Sequence, residues 1–158
     1  MVLKFDLKKL LASIVIPLGI GGLATLITKD DMDIYKEIVK PPLSPPGALF
    51  PIVWTILYIL MGVSLYFIWT NRDSSKDKTK PVILFAAQLL LNFIWIPVFF
   101  SAKQFTVAVF ILVALLVTLI CMTVSFYKID KRAALLQIPY IIWLCIAFYL
   151  NVGVAVLN

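Results

Sequence analysis

The chain contains 158 residues, of which 63% are hydrophobic and only 14% are charged, and its mean hydropathy is +1.05. An average soluble domain carries roughly 25% charged residues and could not bury so large an apolar fraction, so the composition excludes a soluble globular protein. The net charge of +6 does not indicate nucleic-acid binding, because the Lys and Arg residues lie in short segments between apolar runs and form no helical stripe. The composition predicts an integral membrane protein.

Five apolar runs without Asp, Glu, Lys or Arg are long enough to cross a bilayer. Each has 18 to 25 residues, and a hydrocarbon core of about 30 Å requires a helix of ~20 residues. Because the backbone must satisfy its own hydrogen bonds in lipid, continuous runs of this length predict helices rather than a β-barrel. We predict an all-α, five-transmembrane-helix bundle in one domain over residues 1–158, with helices at about 10–27, 47–69, 82–100, 105–127 and 133–157.

The first run is preceded by Lys4, Lys8 and Lys9, and a signal peptide also has basic residues before its apolar core. Eighteen residues are long for such a core, and no small-x-small cleavage site precedes the polar segment that begins at Thr28. We therefore predict a retained helix, with a signal peptide as the alternative.

The distribution of basic residues predicts the orientation. Ten of the fourteen Lys and Arg residues lie in the N-terminal segment and in the second and fourth connections, and four lie in the first and third. Because cytoplasmic loops carry the excess of Lys and Arg, the N-terminus is expected in the cytoplasm and the C-terminus outside. Trp69, at the cytoplasmic end of the second span, is expected to anchor that span at the interface.

The connection over residues 28–46 is unusually rich in proline. Four prolines within residues 41–46 are predicted to hold the chain extended, because proline fixes its own backbone torsion and disfavours helix in the residue before it. Such a segment across the outer mouth would form a lid loop, and the alternative is a rigid turn with no ligand beneath it. Pro97 and Pro139 are predicted to kink the third and fifth spans.

Aromatic and amide side chains recur at helical spacing on three spans. The start of the second span and the ends of the third and fifth lie in the same half of the bilayer, so these stripes are expected to converge. Aromatic walls with a few amides suit a flat, largely apolar ligand. The alternative is that the amides form hydrogen bonds between helices and that the tryptophans are anchors at the membrane interface. The stripes are Trp54, Tyr58 and Met61; Gln88, Asn92 and Trp95; and Tyr140, Trp143, Ala147 and Asn151.

Several kinds of site are excluded by what the sequence lacks. The chain has no histidine, so an imidazole-ligated haem or metal site is impossible, and no metal site is predicted. Cys121 and Cys145 lie in different spans and are expected to be small packing residues. No ionisable Asp, Glu, Lys or Arg lies within a span, so neither an ion-coupled transporter nor conventional acid–base catalysis is predicted.

Three segments, which together reach across nearly the whole chain, match the motifs of a known family. They are IYKEIVKPPLSPPGALFPIVWTILYILMGVSLYFIW at residues 34–69, QLLLNFIWIPVFFSAKQ at 88–104 and LLQIPYIIWLCIAFYLN at 135–151. These segments resemble the TspO/MBR family of tryptophan-rich sensory proteins and translocator proteins (peripheral-type benzodiazepine receptors), whose pattern for the first segment is WYxxLxKPxWxPPxxxFxxVWxxLYxLMGxA.

The resemblance implies a five-helix bundle in a bacterial cell membrane, often a homodimer, with a ligand pocket beneath the first loop. The implied ligands are tetrapyrroles, such as protoporphyrin IX and haem, and isoquinoline-type molecules; no cofactor is required. Motif matches and helical stripes together give these expected ligand-binding residues: Tyr35, Trp54, Tyr58, Gln88, Asn92, Trp95, Trp143, Ala147 and Asn151.

Three functions remain open from the sequence. The first is a sensor, scavenger or carrier of tetrapyrroles, and the second is light- and oxygen-dependent degradation of protoporphyrin IX, in which the resemblance implicates Trp54 and Trp143. The third is passive transport of tetrapyrroles or other lipophilic molecules. The chain departs from the family at Ile34 and Leu43, which replace loop tryptophans, so weaker loop contacts to a ligand are expected. Its C-terminus lacks the animal sterol-binding motif, so sterol binding there is not expected.

Overall fold

The computed structural model describes residues 5–158, so Lys4 of the orientation signal lies outside the described residues. Five helical spans are long and apolar enough to cross a membrane, and the last is divided into two helices. This confirms the predicted all-α, five-span fold. The helices are α1 (Leu7–Thr28), α2 (Ile34–Glu37), α3 (Leu49–Thr70), α4 (Thr79–Phe100), α5 (Phe105–Ile129), α6 (Lys131–Leu135) and α7 (Ile138–Leu157).

Helix α1 begins three residues before the predicted run, because a side-chain cap precedes the apolar residues. The Asp6 carboxylate accepts a hydrogen bond from the Lys9 backbone N–H at 3.1 Å, which satisfies one of the free donors at the helix start. The Asp6 backbone N–H donates to the Tyr66 hydroxyl at 3.1 Å, so the start of α1 is tied to the end of α3. Farther along, a Cβ atom on Gly62 would overlap the backbone of Ile14, so this glycine permits close packing of α1 on α3.

The lid loop contains more structure than the extended segment predicted from its prolines. It includes the single-turn helix α2 and a turn at residues 42–43, and α3 starts at Leu49, two residues later than expected. Leu43, at one of the positions where the family has tryptophan, has a φ of 63° and is 96% exposed. The other such position, Ile34, is buried in α2.

The fifth span is broken at Leu136–Gln137, and α7 begins at Ile138 with Pro139 in its first turn, so the predicted disruption by this proline is observed as the boundary between α6 and α7. Proline has no N–H to continue the hydrogen bonds of a preceding helix and is well tolerated in the first turn of a new one. Gln137 is fully buried at the break, and neither of its side-chain amide atoms has a hydrogen-bond partner among residues 5–158. Pro97 behaves differently, since α4 continues without a break from Thr79 through Pro97 to Phe100.

The interior is formed mainly by α3, α4, α5 and α7, and α1 packs against α3 and α4. Cys121 and Cys145 both lie on the exposed surface of the bundle, so the prediction that they are packing residues is wrong. Their small, weakly polar side chains are tolerated on an outward face because a lipid-facing helix needs no polar outer surface. Trp69 is 49% exposed at the end of α3, where an interface anchor is expected.

Candidate ligand-binding site

A chain of buried hydrogen bonds joins α3, α4 and α7. The Tyr58 hydroxyl donates to Asn92 Oδ1 at 2.8 Å, and Asn92 Nδ2 donates to the Tyr140 hydroxyl at 3.0 Å. The Tyr140 hydroxyl donates in turn to Gln88 Oε1 at 2.9 Å. Three of the sequence-predicted residues (Tyr58, Gln88 and Asn92) therefore already have polar partners, and they hold the three helices in register.

A second polar contact lies at the end of the bundle covered by the lid loop, which we call the loop end. The Trp95 indole N–H donates to Asn151 Oδ1 at 3.0 Å, and Asn151 Nδ2 donates to the Phe105 carbonyl oxygen at 2.9 Å. Both side chains are buried. This contact connects α4 to α7 and to the start of α5, and it orients the Trp95 ring toward the loop end.

The aromatic residues of the loop end are in contact with one another. The Trp54 ring stacks on Tyr58 with centroids 5.6 Å apart and meets the edge of Tyr140 at 6.0 Å. Phe50, one helical turn before Trp54, contacts Trp143 edge to face at 5.5 Å. The predicted convergence of aromatic stripes from α3 and α7 is therefore present in the structure.

Trp143 has an unsatisfied polar atom. Its side chain is only 7% exposed, and its indole Nε1 is buried without a hydrogen-bond partner in the part of the chain that the structure describes. A buried indole N–H normally finds an acceptor, and an orphaned one requires an explanation, for which a water molecule or a ligand group is the usual candidate. Of the indoles expected to bind ligand, Trp95 is satisfied by protein and Trp143 is not.

The lid loop is fastened to the bundle by side chains. The Tyr149 hydroxyl of α7 donates to the Pro42 carbonyl oxygen at 2.8 Å. The Asn158 side chain accepts from the Val39 backbone N–H at 3.0 Å and donates to the Val39 carbonyl oxygen at 2.8 Å. On the other side, the Ser101 hydroxyl donates to the Asp31 carboxylate at 2.5 Å. These bonds close the loop over the loop end.

Tyr35 places the lid loop in contact with the aromatic cluster. Its ring meets Phe50 edge to face at 5.1 Å, and its hydroxyl donates to the Pro45 carbonyl oxygen at 2.6 Å. Burial raises the pKa of the Tyr35 phenol, so the group stays protonated and remains a donor at neutral pH. The Lys40 ammonium lies 4.8 Å from the centre of the same ring, which favours the inward position of Tyr35.

The space beneath the loop is almost filled by side chains. The cavity there has a volume of about 10 Å³, whereas pockets for small molecules typically have volumes of about 300–1,000 Å³ and one water needs roughly 10–15 Å³. The described structure is therefore a closed form, and a flat ligand must displace aromatic side chains to enter. The lining residues are Tyr35, Phe50, Trp95, Phe99, Phe100, Ala147, Leu150 and Asn151.

The structure divides the nine sequence-predicted residues into three groups. Tyr35, Trp95, Ala147 and Asn151 line the small cavity. Trp54 and Trp143 belong to the adjoining aromatic cluster, and Tyr58, Gln88 and Asn92 form the hydrogen-bonded chain.

Sequence analysis missed four aromatic residues as members of the site. Phe50 is a cavity residue that also contacts Trp143, and its position four residues before Trp54 was the available signal. Tyr140 was on a recognised stripe, but nothing in the sequence indicated its bonds to two amides. Phe99 and Phe100 line the cavity from the last turn of α4.

Comparison with known proteins identifies the family. The sequence profile described as the TspO/MBR family matches residues 13–157. The chain is 35% identical over 140 residues to the tryptophan-rich protein TspO of Chlorobaculum tepidum, covering 89% of this chain and 88% of that protein. It is 34% identical over 154 residues to the protein of the same name from Archaeoglobus fulgidus, covering 97% and 99%, respectively. The translocator protein of Bos taurus is 36% identical over 121 residues, covering 74% and 70%. The chain is an integral membrane protein that belongs to the TspO/MBR family.

Proposed function

We propose that this protein binds a tetrapyrrole, such as protoporphyrin IX or haem, at the loop end and acts as a membrane sensor, scavenger or carrier of it. A relative from Cereibacter sphaeroides, 32% identical over 124 residues, is named a tryptophan-rich sensory protein, and the bovine relative is named a translocator protein. The observation that carries the proposal is the buried, unpartnered indole N–H of Trp143 within a cluster of aromatic rings beneath a closed loop.

The chemistry of the loop end suits a flat ligand with a few acceptor groups. Aromatic rings provide apolar faces for a macrocycle, and the Trp143 indole supplies one donor for a carboxylate or carbonyl oxygen. Because the chain has no histidine, haem would bind here without an imidazole ligand to its iron. The proposal therefore rests on stacking and hydrogen bonding, and protoporphyrin IX without a metal is expected to bind as well as haem.

Binding requires the closed form to open. A cavity of about 10 Å³ does not admit a macrocycle, so Phe50 and Trp143 must separate and the lid loop must lift. A ligand that binds only the open form shifts the population toward it, and the cost of opening lowers the apparent affinity. We therefore expect slow association compared with diffusion, followed by enclosure of the ligand beneath the loop.

The test is a titration of the purified protein with protoporphyrin IX, followed by the shift of the porphyrin absorbance band, which does not depend on the number of tryptophans. Trp143→Phe keeps an aromatic ring but removes the donor, and a lost hydrogen bond of about 0.5–1.5 kcal/mol weakens binding by roughly 2- to 12-fold. The matched control is Trp69→Phe at the opposite end of the bundle, which is expected to leave the affinity unchanged. Absence of saturable binding, or equal effects of the two substitutions, would refute the proposal.

The same site favours a second candidate, the light-dependent oxidation of bound protoporphyrin IX. Trp54 stacks on Tyr58, and Trp143 lies in the same cluster, so two oxidisable indoles would flank the porphyrin. Porphyrin, light and molecular oxygen would supply the reactivity, and the protein would supply the geometry. If illuminated porphyrin is consumed no faster with the native protein than with a Trp54→Phe/Trp143→Phe double variant, this candidate is excluded.

The orientation proposed from the basic residues places the N-terminus in the cytoplasm of a bacterial cell and the loop end outside. Single cysteines replacing Lys80 and Ala102, introduced after Cys121 and Cys145 are changed to serine, would report it, since they lie at opposite ends of α4. A membrane-impermeant thiol reagent applied to intact cells is expected to label position 102 and not position 80. The reverse pattern would overturn the orientation. The homodimer implied by the resemblance stays a prediction.

A further inference from the structure

A second cavity lies at the end of the bundle opposite the aromatic cluster. It is an open cleft of about 1040 Å³ between the start of α1, the end of α3 and the turn that begins α6. None of its lining residues belongs to the candidate ligand site. This end, which we call the basic end, also holds most of the Lys and Arg residues of the chain.

The two carboxylates on the wall of the cleft are already neutralised by neighbouring cations. The Asp6 carboxylate lies 3.8 Å from the Lys9 ammonium. The Asp130 carboxylate receives two bonds from the Arg132 guanidinium, at 2.8 and 3.1 Å. The guanidinium also lies 4.4 Å from the centre of the Phe67 ring, so both charge and stacking hold Arg132 on the cleft wall.

Two further cations that line the cleft have no such partner. Lys8 and Arg72 are exposed and make no ion pair among the part of the chain that the structure describes. With the carboxylates matched to Lys9 and Arg132, the cleft keeps an excess of two positive charges. Phosphate is the group that Lys and Arg side chains bind most readily in such a setting.

The rim of the cleft is aromatic. Phe5 is 67% exposed and Trp69 is 49% exposed, and both line the cleft. Exposed aromatic rings at the end of a membrane span lie at the level of the lipid headgroups. The cleft lies between transmembrane helices, has basic side chains and is at the level of the lipid headgroups. It is therefore suited to a lipid headgroup rather than to a dissolved anion.

We propose that the cleft binds the headgroup phosphate of an anionic phospholipid. Lys8 and Arg72 contact the phosphate, and Phe5 and Trp69 pack against the glycerol and the upper acyl chains. Because Lys8 belongs to α1 and Arg72 follows α3, a bound lipid joins the two helices at the point where the Asp6 backbone already contacts Tyr66. This site is independent of the tetrapyrrole proposal, since it shares no residue with the loop end.

The test uses the full chain in phosphatidylcholine liposomes that contain increasing fractions of brominated phosphatidylglycerol or brominated phosphatidylcholine. Bromine quenches tryptophan at contact, and the contribution of Trp69 is obtained by subtracting the signal of Trp69→Phe. Half-maximal quenching of Trp69 is expected at a lower fraction of the anionic lipid. Each cation near an anionic surface contributes about 5-fold, so Lys8→Gln/Arg72→Gln is expected to reduce the preference by up to about 25-fold.

The matched control is Lys80→Gln/Lys128→Gln, which removes the same charge from the same end of the bundle but from residues outside the cleft. The control is expected to keep most of the preference, and the charge-preserving pair Lys8→Arg/Arg72→Lys is expected to keep all of it. Equal quenching by the two lipids, or equal losses in the cleft and control variants, would overturn the proposal. Competition by excess inorganic phosphate at constant ionic strength would also overturn it, because it would indicate a site for a free anion.

Discussion

Replacing Asn92 by alanine tests whether the buried hydrogen-bonded chain holds α3, α4 and α7 together. The substitution removes the acceptor of the Tyr58 hydroxyl at 2.8 Å and the donor to the Tyr140 hydroxyl at 3.0 Å. Tyr140 still donates to Gln88, so it keeps a partner. Among the described residues Tyr58 has no other side-chain or backbone acceptor, and its side chain is buried.

The expected magnitude follows from these contacts. Interhelical hydrogen bonds in membranes contribute about 0.6 kcal/mol on average and at most about 1.7 kcal/mol, so two of them account for roughly 1–3 kcal/mol. The Tyr58 hydroxyl left without a partner adds about 1–3 kcal/mol. We expect Asn92→Ala to lower the free energy of unfolding by about 2–6 kcal/mol. Tyr58→Phe removes one bond of about 1 kcal/mol and leaves the buried Asn92 Oδ1 without its donor, which adds about 1–3 kcal/mol, so it is expected to cost about 2–4 kcal/mol.

The assay is reversible unfolding in mixed micelles of a mild detergent and dodecyl sulfate, followed by tryptophan fluorescence. In the Tyr58→Phe background, Asn92→Ala is expected to cost less than it does alone, because the orphaned hydroxyl is absent. The matched control is Thr118→Ala, since the Thr118 hydroxyl is exposed and bonds only the Ala114 carbonyl of its own helix. If Asn92→Ala costs no more than this control, or if its cost is unchanged by Tyr58→Phe, the hydrogen-bonded chain does not stabilise the bundle.

Three further predictions concern helix packing, the lid loop and the cap of α6. Gly62→Ala is expected to lower the free energy of unfolding by about 1–3 kcal/mol, because the new Cβ meets the backbone of α1. The control is Gly22→Ala, which should not destabilise the protein because its Cβ meets no described atom within 4 Å. Tyr149→Phe removes a hydrogen bond of about 1 kcal/mol that fastens the lid loop. Porphyrin association, measured by stopped flow, should therefore accelerate up to about 5-fold. An unchanged rate would mean that the loop does not limit entry. Hydrogen bonds from Arg132 hold the pKa of the Asp130 carboxyl below its usual value, so this contribution to stability is present above about pH 4 and is lost as the pH falls through the lowered pKa. Asp130→Asn should flatten the acid limb of the stability–pH curve, and an unaltered limb would contradict this assignment.

The five spans were predictable because membrane insertion depends on the length and hydrophobicity of an apolar run, which can be read directly from the sequence. A run of apolar residues long enough to cross the hydrocarbon core has few alternatives to a helix. The ends were less predictable, since α1 is extended by the Asp6 cap and α2 forms in the part of the lid loop that precedes the prolines. Proline restricts only itself and the residue before it, so the prolines at 41–46 carried no information about residues 34–37.

The side-chain partners within the site depend on information that helical spacing does not carry. Spacing placed Trp95, Trp143 and Asn151 on inward faces, and all three are buried. It did not indicate that Trp95 has a protein acceptor while Trp143 has none, because that depends on the relative heights of α4 and α7. The filled cavity was equally unpredictable, since packing by Phe50 and Phe99 is decided by rotamers.

The break in the fifth span gives α7 a pivot. Helix α6 is fixed to α3, because the Ser64 hydroxyl donates to the Ala133 carbonyl oxygen at 2.7 Å. At the break, the Gln137 side chain makes no hydrogen bond to any residue that the structure describes, so tilting there would break none. We therefore expect α7 to tilt about this break when a macrocycle enters, which would break the Trp95–Asn151 hydrogen bond while α6 keeps its packing. Amide hydrogen exchange that speeds up at residues 136–138 on porphyrin binding, with α6 still protected, would reveal this motion; uniform protection along the span would exclude it.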